Sequence, residues 1–317
     1  MHEYTYKIRD FINEPRAVCA LLKNLGLWHQ LCSCLDAIED TDLAVASYSG
    51  AKFTASDGAL YLAVYGLLQA LFLQQDAVFH MCESLGIAER LNDYPKLREI
   101  REIRHATVGH PTKKNRPQPA SYHSISRPTL SPDGFELLSF HGDGTFDAKY
   151  ISIPDLIAEQ RSYVSGILTS VASELERKEA AHKDEFKMEK LASLFPSSLT
   201  YSFQKIFEGT WRIEYPSLAG VSLRSVKQTI EAFRDALARR GIEIDTYDPI
   251  KHIYELLEHP LAELENFFRS AKAGAQPNIN PETAYIFAFF VRAQINELRQ
   301  IAEEIDDDYA RGGLVPQ

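Results

Sequence analysis

"REIRHATVGHPTKKNR", residues 101–116, is where a helical pattern stops and a different kind of chain begins. At about 100° per residue, Leu97, Ile100, Ile103 and Val108 line one helix face, and Arg104 falls inside that apolar stripe with Arg101 and His105 flanking it. A guanidinium left unpaired in an apolar seam is costly, so Arg104 requires a carboxylate, carbonyls or an anion. Asp76 and Glu83 are the acidic candidates for a purely structural ion pair, and snorkelling from the rim of the stripe is the other bland reading. Gly109 and Pro111 then end the helix, because glycine tolerates a left-handed cap and proline cannot continue the ladder. His110 is thereby placed beside a helix terminus.

Upstream, helix-like spacing covers residues 3–24 and 28–40, separated by "NLGLW". A stronger segment follows from about Ser56 to Gly86, with Thr54, Ser56 and Asp57 as candidate caps. Its apolar run "ALYLAVYGLLQALFL", 59–73, is interrupted by Gly66 and Gln69 and is shorter than the roughly 20 residues that span a bilayer. It reads as a buried helix. The stripe helix itself starts near Tyr94-Pro95 and runs to about Val108.

Downstream of the Pro- and Lys-rich loop 111–119 the period shifts. "SYHSISRP", "GFELLSF" and "TFDAKYISI" are short β-branched or aromatic runs, and "HGDG" between the last two is a hairpin turn signal. "GDGT" therefore sits in a hairpin, not between a strand and a helix, and does not read as a phosphate cradle. A long helix follows Pro154, with Leu156, Tyr163, Ile167 and Val171 on one face. Further helices are expected near 187–208, 222–240, 248–272 and 281–308, separated by Pro- and Gly-containing turns. The predicted fold is mainly α: an antiparallel helical bundle over 1–185 with a small β-hairpin or meander insertion at about 120–152, then a second all-helical region over 186–310 and a tail at 311–317.

The chain of 317 residues, 45% hydrophobic and 25% charged, has the composition of a folded protein with a substantial core. "MHEYTYKIRDF" carries charges of both signs and no apolar h-region, so it does not read as a secretory signal, and a cytoplasmic, membrane-free protein is expected. Cys32 and Cys34 form C-x-C with no second pair or nearby His cluster, so the cysteines are expected as reduced thiols and no metal or cofactor is expected. The net charge of −10 argues against a protein that coats nucleic acid along its whole surface. Yet from Lys96 to Arg127 eight basic residues face only Glu99 and Glu102, a net of +6 that leaves −16 for the remainder. One basic island on an acidic body suggests a confined anion site, although a solvated positive loop would look the same.

"RHATVGHP" resembles the signature of the HEPN superfamily, in which a helical domain carries an Arg, a polar residue after it, and a His beyond four to six further positions. Here these are Arg104, His105 and His110, with five residues between Arg104 and His110. The resemblance covers the first 110 or so residues and extends towards 185; the β insertion and the second half receive no support from it. Bare spacing also fits Arg98…His105, Arg116…His123 and Arg177…His182. What separates Arg104…His110 is an apolar helix, a polar residue directly after Arg, a helix stop and a trailing proline, whereas Arg177 and His182 lie in a charge-dense segment that reads as a solvated face.

The resemblance implies a HEPN-like bundle and a metal-independent endoribonuclease, with a role such as toxin or phage-defence effector. It implies Arg104 and His110 as the catalytic pair, His105 and Arg101 as support or phosphate-binding groups, and a homodimer that joins two such sets in one cleft. Lys113, Lys114 and Arg116 are candidates to guide RNA. An antitoxin or regulatory partner is a further expectation. The chemistry is sound from the residues upward: an imidazole suits proton transfer near neutral pH, and a guanidinium clamps nonbridging phosphate oxygens. The alternative is a noncatalytic helical module whose Arg104 and His110 stabilise a dimer or hold a small anion or partner protein.

Overall fold

The computed structural model describes residues 1–51, 57–112, 121–211 and 216–311. The chain is mainly α-helical with one small antiparallel sheet, as the sequence predicts. Contacts divide it into two units, Met1–Phe11 with Asn24–Leu175, and Ile12–Lys23 with Glu176–Gln317. The sequence reading assigned all of 1–185 to the first.

The first unit takes α1 (His2–Asn13) up to Phe11 and all of α3 (Leu25–Gly50); the short α2 (Pro15–Leu22), which belongs to the second unit, lies between them in sequence and starts at a proline that fits a helix's first turn but not its interior. The continuous pattern expected over 3–24 is therefore broken at Pro15. Arg9 bonds Asp36 at 2.7 Å and Glu39 at 3.2 Å, tying α1 to α3. Asn24 caps α3 by accepting from the Leu27 amide at 3.3 Å. Of the candidate caps, Thr54 and Ser56 lie outside the described residues.

Helix α4 (Asp57–Ser84) packs antiparallel on α3: Gln30, near the start of α3, donates to the His80 carbonyl and to Glu83, near the end of α4. Over Gly58–Ser84 it is long and apolar enough to cross a membrane, with half of its most apolar window buried inside the protein. The apolar run thus extends beyond residue 73, and the helix as a whole is not too short to span a bilayer, contrary to the expectation from 59–73. Helix α4 packs on α3 and on α5 (Pro95–Arg104), and Leu68, Leu71, Val78 and Met81 of α4, Leu31, Leu35 and Ile38 of α3 and Leu97, Ile100 and Ile103 of α5 are all buried. Each such side chain contributes about 1.5–3 kcal/mol on leaving water.

The insertion forms three strands in sequence order, β1 (Ser121–Ile125), β2 (Gly134–His141) and β3 (Phe146–Ser152). Asp143 closes the β2–β3 turn by accepting from the Thr145 amide at 3.0 Å, and Gly144 takes φ +86, a conformation that favours glycine. Phe135, Leu137 and Ile151 bury one sheet face. Helix α6 (Ile153–Phe186) follows and contributes residues to both units.

The second unit is built on α7 (Ser198–Trp211), α8 (Pro216–Arg239), α9 (Asp248–Lys272) and α10 (Pro281–Arg311), around Phe203, Phe233, Phe267 and Leu298. Asp306 on α10 accepts from the amides of Leu191 at 2.8 Å and Ala192 at 2.9 Å, capping a short 3-10 turn ahead of α7. His182 does not lie on a freely solvated face: its Nε2 is 2.9 Å from the Tyr309 hydroxyl and its ring packs on Phe186. Burial and Arg16 push its pKa down, Glu179 and Glu185 oppose this, and Arg240 adds to it. All four cysteines are free thiols, and burial raises Cys34 to about 11 and Cys82 to about 12, which keeps them protonated.

Candidate active site

The helix that carries the motif changes character at its end. Regular α geometry stops at Arg104, and residues His105–Gly109 form a π-helical turn in which the His110 amide bonds back to the His105 carbonyl at 2.8 Å. Thr107 serves the carbonyls where the ladder widens, its hydroxyl donating to Ile103 at 2.8 Å and to Arg104 at 3.3 Å. Such single turns occur frequently at functional sites. Gly109 is not left-handed, contrary to the cap expected from sequence. Its role is close approach: a Cβ placed there would stand 2.9 Å from Arg104 Nη1 and 3.2 Å from His105 Nδ1.

Arg104 is half-buried, and its partner is neither Asp76 nor Glu83. Gln69 on α4 accepts two hydrogen bonds from it, 3.0 Å from Nε and 2.6 Å from Nη2. The guanidinium carbon lies 4.5 Å from the centre of the Phe72 ring, a cation–π arrangement, and Nη1 is 3.4 Å from His105 Nδ1. Among the described residues no carboxylate pairs with Arg104. An amide and a ring orient the side chain without neutralising its charge.

Arg101 sits differently. It pairs with Asp76, donates from Nε to Gln75 at 2.8 Å, and lies over the same Phe72 ring at 4.5 Å. Gln75, fully buried, continues to the Leu97 carbonyl and to Gln160 at 2.7 Å; Gln160 donates onward to the Leu71 carbonyl at 2.9 Å and to Gln74 at 3.1 Å. Arg101 is thus the outer end of a buried polar chain that joins α4, α5 and α6. Its charge is answered by Asp76, so it positions rather than attracts. His105 stands edge-on to Phe72, with ring centres 5.7 Å apart.

His110 is exposed at the end of the π turn, and the following Pro111 carbonyl accepts from the His123 amide of β1 at 2.7 Å. That bond fixes where the chain leaves the helix. Lys113, Lys114 and Arg116 lie outside the described residues. The structure therefore brings Arg104, His105, Gly109 and the start of His110 together on one turn, with Arg101 alongside through Phe72. Sequence reasoning missed Gln69, Phe72 and Gln75. Gln69 was visible only as a polar interruption of an apolar run, and the arrangement supplies one oriented cation beside one exposed imidazole. No family model matches the chain, and no curated protein and no solved structure matches it.

Proposed function

We propose that the chain is a HEPN-type endoribonuclease that cleaves RNA through Arg104 and His110. The observation that carries this reading is the state of Arg104, held by a neutral amide, with no carboxylate partner among the described residues, against the backbone of the turn that ends in an exposed histidine. In the proposed reaction the 2′-oxygen attacks the adjacent phosphorus as its proton is removed. The bond from phosphorus to the 5′-oxygen then breaks and that oxygen takes a proton, leaving a 2′,3′-cyclic phosphate and a 5′-hydroxyl. His110 moves a proton, and Arg104 neutralises the equatorial oxygens of the phosphorane. Neither role requires a metal.

A single set supplies one exposed imidazole, His110, for two proton transfers, and a homodimer supplies a second. Exposed Leu62, Tyr65 and Leu73 share the α4 face that carries Gln69 at three- and four-residue steps. A two-fold contact over this stripe would set two Arg104 and His110 pairs in one cleft and cover the apolar side chains. RNA is the proposed substrate, and a regulatory protein partner is compatible with the same exposed face.

The test is cleavage of RNA by wild type and His110→Ala in EDTA, with analysis of the product ends. Loss of a proton-transfer group lowers the rate by about 10²–10⁴-fold. Equal activity in the two proteins ends the assignment. The second reading, a noncatalytic module, draws on the contacts of Arg101 and Arg104 with Phe72, which also brace α5 on α4. Arg104→Ala separates the two: a folded, dimeric, inactive protein supports catalysis, and wholesale unfolding supports bracing.

A further inference from the structure

Helices α8 and α9 run antiparallel within the second unit: Lys227 bonds Glu265, and further along the pair the Tyr254 hydroxyl donates to the Ile230 carbonyl. Between the two helices opens a pocket of about 260 Å³, lined in part by the buried Leu223 and Phe268. Its charged lining is Arg224 and Lys227 from α8 and Arg269 and Lys272 from α9, with one carboxylate, Glu265. Glu265 accepts from Lys227 at 2.6 Å and from Arg269 at 3.0 Å. The bond from Lys227 chiefly holds its carboxyl below the ordinary carboxylate range, against the effect of burial, so Glu265 stays ionised and cancels one charge. Arg224 and Lys272 make no hydrogen bond or ion pair among the described residues, and the pocket keeps a net charge of +3.

This cluster runs against its surroundings. Residues 176–317 hold 23 acidic and 18 basic residues, so a cation here has carboxylates to choose from. Elsewhere in the unit surface cations find them: Lys205 with Glu208, Arg234 with Glu231, Arg239 with Glu189 and Arg299 with Glu303. Arg269 and Lys272 lie in the last turn of α9, where the helix dipole favours positive charge. Arg224 and Lys227 lie well inside α8 and have no such reason. Like charges three residues apart on a helix repel, and here both helices carry such a pair. An anion between them removes the repulsion, and the apolar part of the lining focuses their field into the pocket.

We propose that the α8–α9 pocket binds a compact phosphate oligoanion of the diphosphate class, either free diphosphate or the diphosphate end of a nucleotide. The pocket is smaller than the clefts of roughly 300–1,000 Å³ that take drug-sized molecules, so it receives the anion and leaves an organic remainder outside. A single carboxylate would leave most of the charge of +3 unanswered, and the carboxylates of a peptide stand on separate stems. A diphosphate concentrates its charge in two linked tetrahedral groups, whose oxygens suit guanidinium forks and ammonium donors. Lys227 and Arg269, steadied by Glu265, form a held pair; Arg224 and Lys272 form an unengaged pair. Each pair takes one cation from each helix, so the ligand bridges α8 and α9. The inference is independent of the endoribonuclease reading, since no residue of the first unit enters it.

The experiment is calorimetric titration of the full chain, without divalent metal, with inorganic diphosphate, ADP, orthophosphate and a single-stranded RNA, the RNA being added to His110→Ala so that it stays intact. Diphosphate should bind more tightly than orthophosphate. Arg224→Gln and Lys272→Gln remove no contact within the fold, so each should keep the wild-type melting temperature and weaken diphosphate binding about 10-fold, the loss of one charge-assisted hydrogen bond. Arg299→Gln makes the same charge change on α10 and should leave the affinity unchanged. ADP binding weakened by the same two substitutions supports the site and assigns the nucleotide; diphosphate bound while ADP is ignored supports it and assigns the free anion. No saturable binding of diphosphate, binding indifferent to Arg224→Gln and Lys272→Gln, or equal weakening by Arg299→Gln overturns the site. Orthophosphate bound as tightly as diphosphate overturns the diphosphate class. RNA bound more tightly than diphosphate, and lost with the same two substitutions, also overturns it and gives the pocket to a nucleic-acid backbone.

Discussion

Gln69 Oε1 accepts both Nε and Nη2 of Arg104, at 3.0 and 2.6 Å, so an amide on α4 holds the guanidinium that α5 delivers. A carboxylate at this position would make the same two contacts more strongly and cancel the charge. Gln69→Glu is therefore expected to fold at least as well as wild type, yet to cleave RNA about 10²-fold or more slowly, the scale of losing one transition-state donor. Melting temperature and cleavage rate measured side by side check this. Unchanged cleavage would mean that the free charge of Arg104 has no part in the chemistry.

Gly109 makes room for Arg104. Its φ is not in the left-handed region, so alanine is tolerated by the backbone, and the atoms a Cβ would meet at 2.9 and 3.2 Å are side-chain ends that can move. Gly109→Ala should leave the melting temperature nearly unchanged and displace the guanidinium, lowering cleavage about 10-fold or more through misplacement. A large loss of stability, or full activity in a stable variant, contradicts this account of the glycine.

His182 makes the second unit sensitive to acid. Its folded pKa lies below the ordinary value of 6.5, chiefly through burial and Arg16, so the unfolded chain binds the proton more readily. Its contribution to stability is fully present above about pH 6.5 and is lost as pH falls through the folded pKa. Urea midpoints taken from about pH 7 to about pH 5 should decline in wild type and decline less in His182→Gln, whose amide can keep the bond to Tyr309. Equal slopes in the two proteins would show that His182 is not the group responsible.

The helices and the sheet were legible because each buries one periodic face. Leu97, Ile100 and Ile103 recur at helical steps, and "GFELLSF" alternates about a turn whose Gly144 is needed at φ +86. The candidate site was legible only in part. Arg104 betrayed itself by breaking an apolar stripe, but its partner lies 35 residues away in the chain, and no local spacing encodes that contact. The π turn was hidden because Thr107, which serves the widened ladder, is an ordinary residue in sequence. Gly109 invited a capping role because close approach and left-handed geometry call for the same residue. The alignment of Tyr122, Phe140 and Phe146 across the sheet depends on strand register, which alternation within single strands does not specify across all three.

The buried chain from Asp76 through Arg101, Gln75 and Gln160 to Gln74 acts as a detent between three helices. A slip of α5 or α6 by one turn would strand amides that water cannot reach, at about 1–3 kcal/mol for each orphaned group, whereas oily contacts alone would re-form one step along. Arg104 lies three residues, a little less than a full turn, beyond Arg101 on the same helix, so the detent that fixes the rotation of α5 also aims the guanidinium at Gln69.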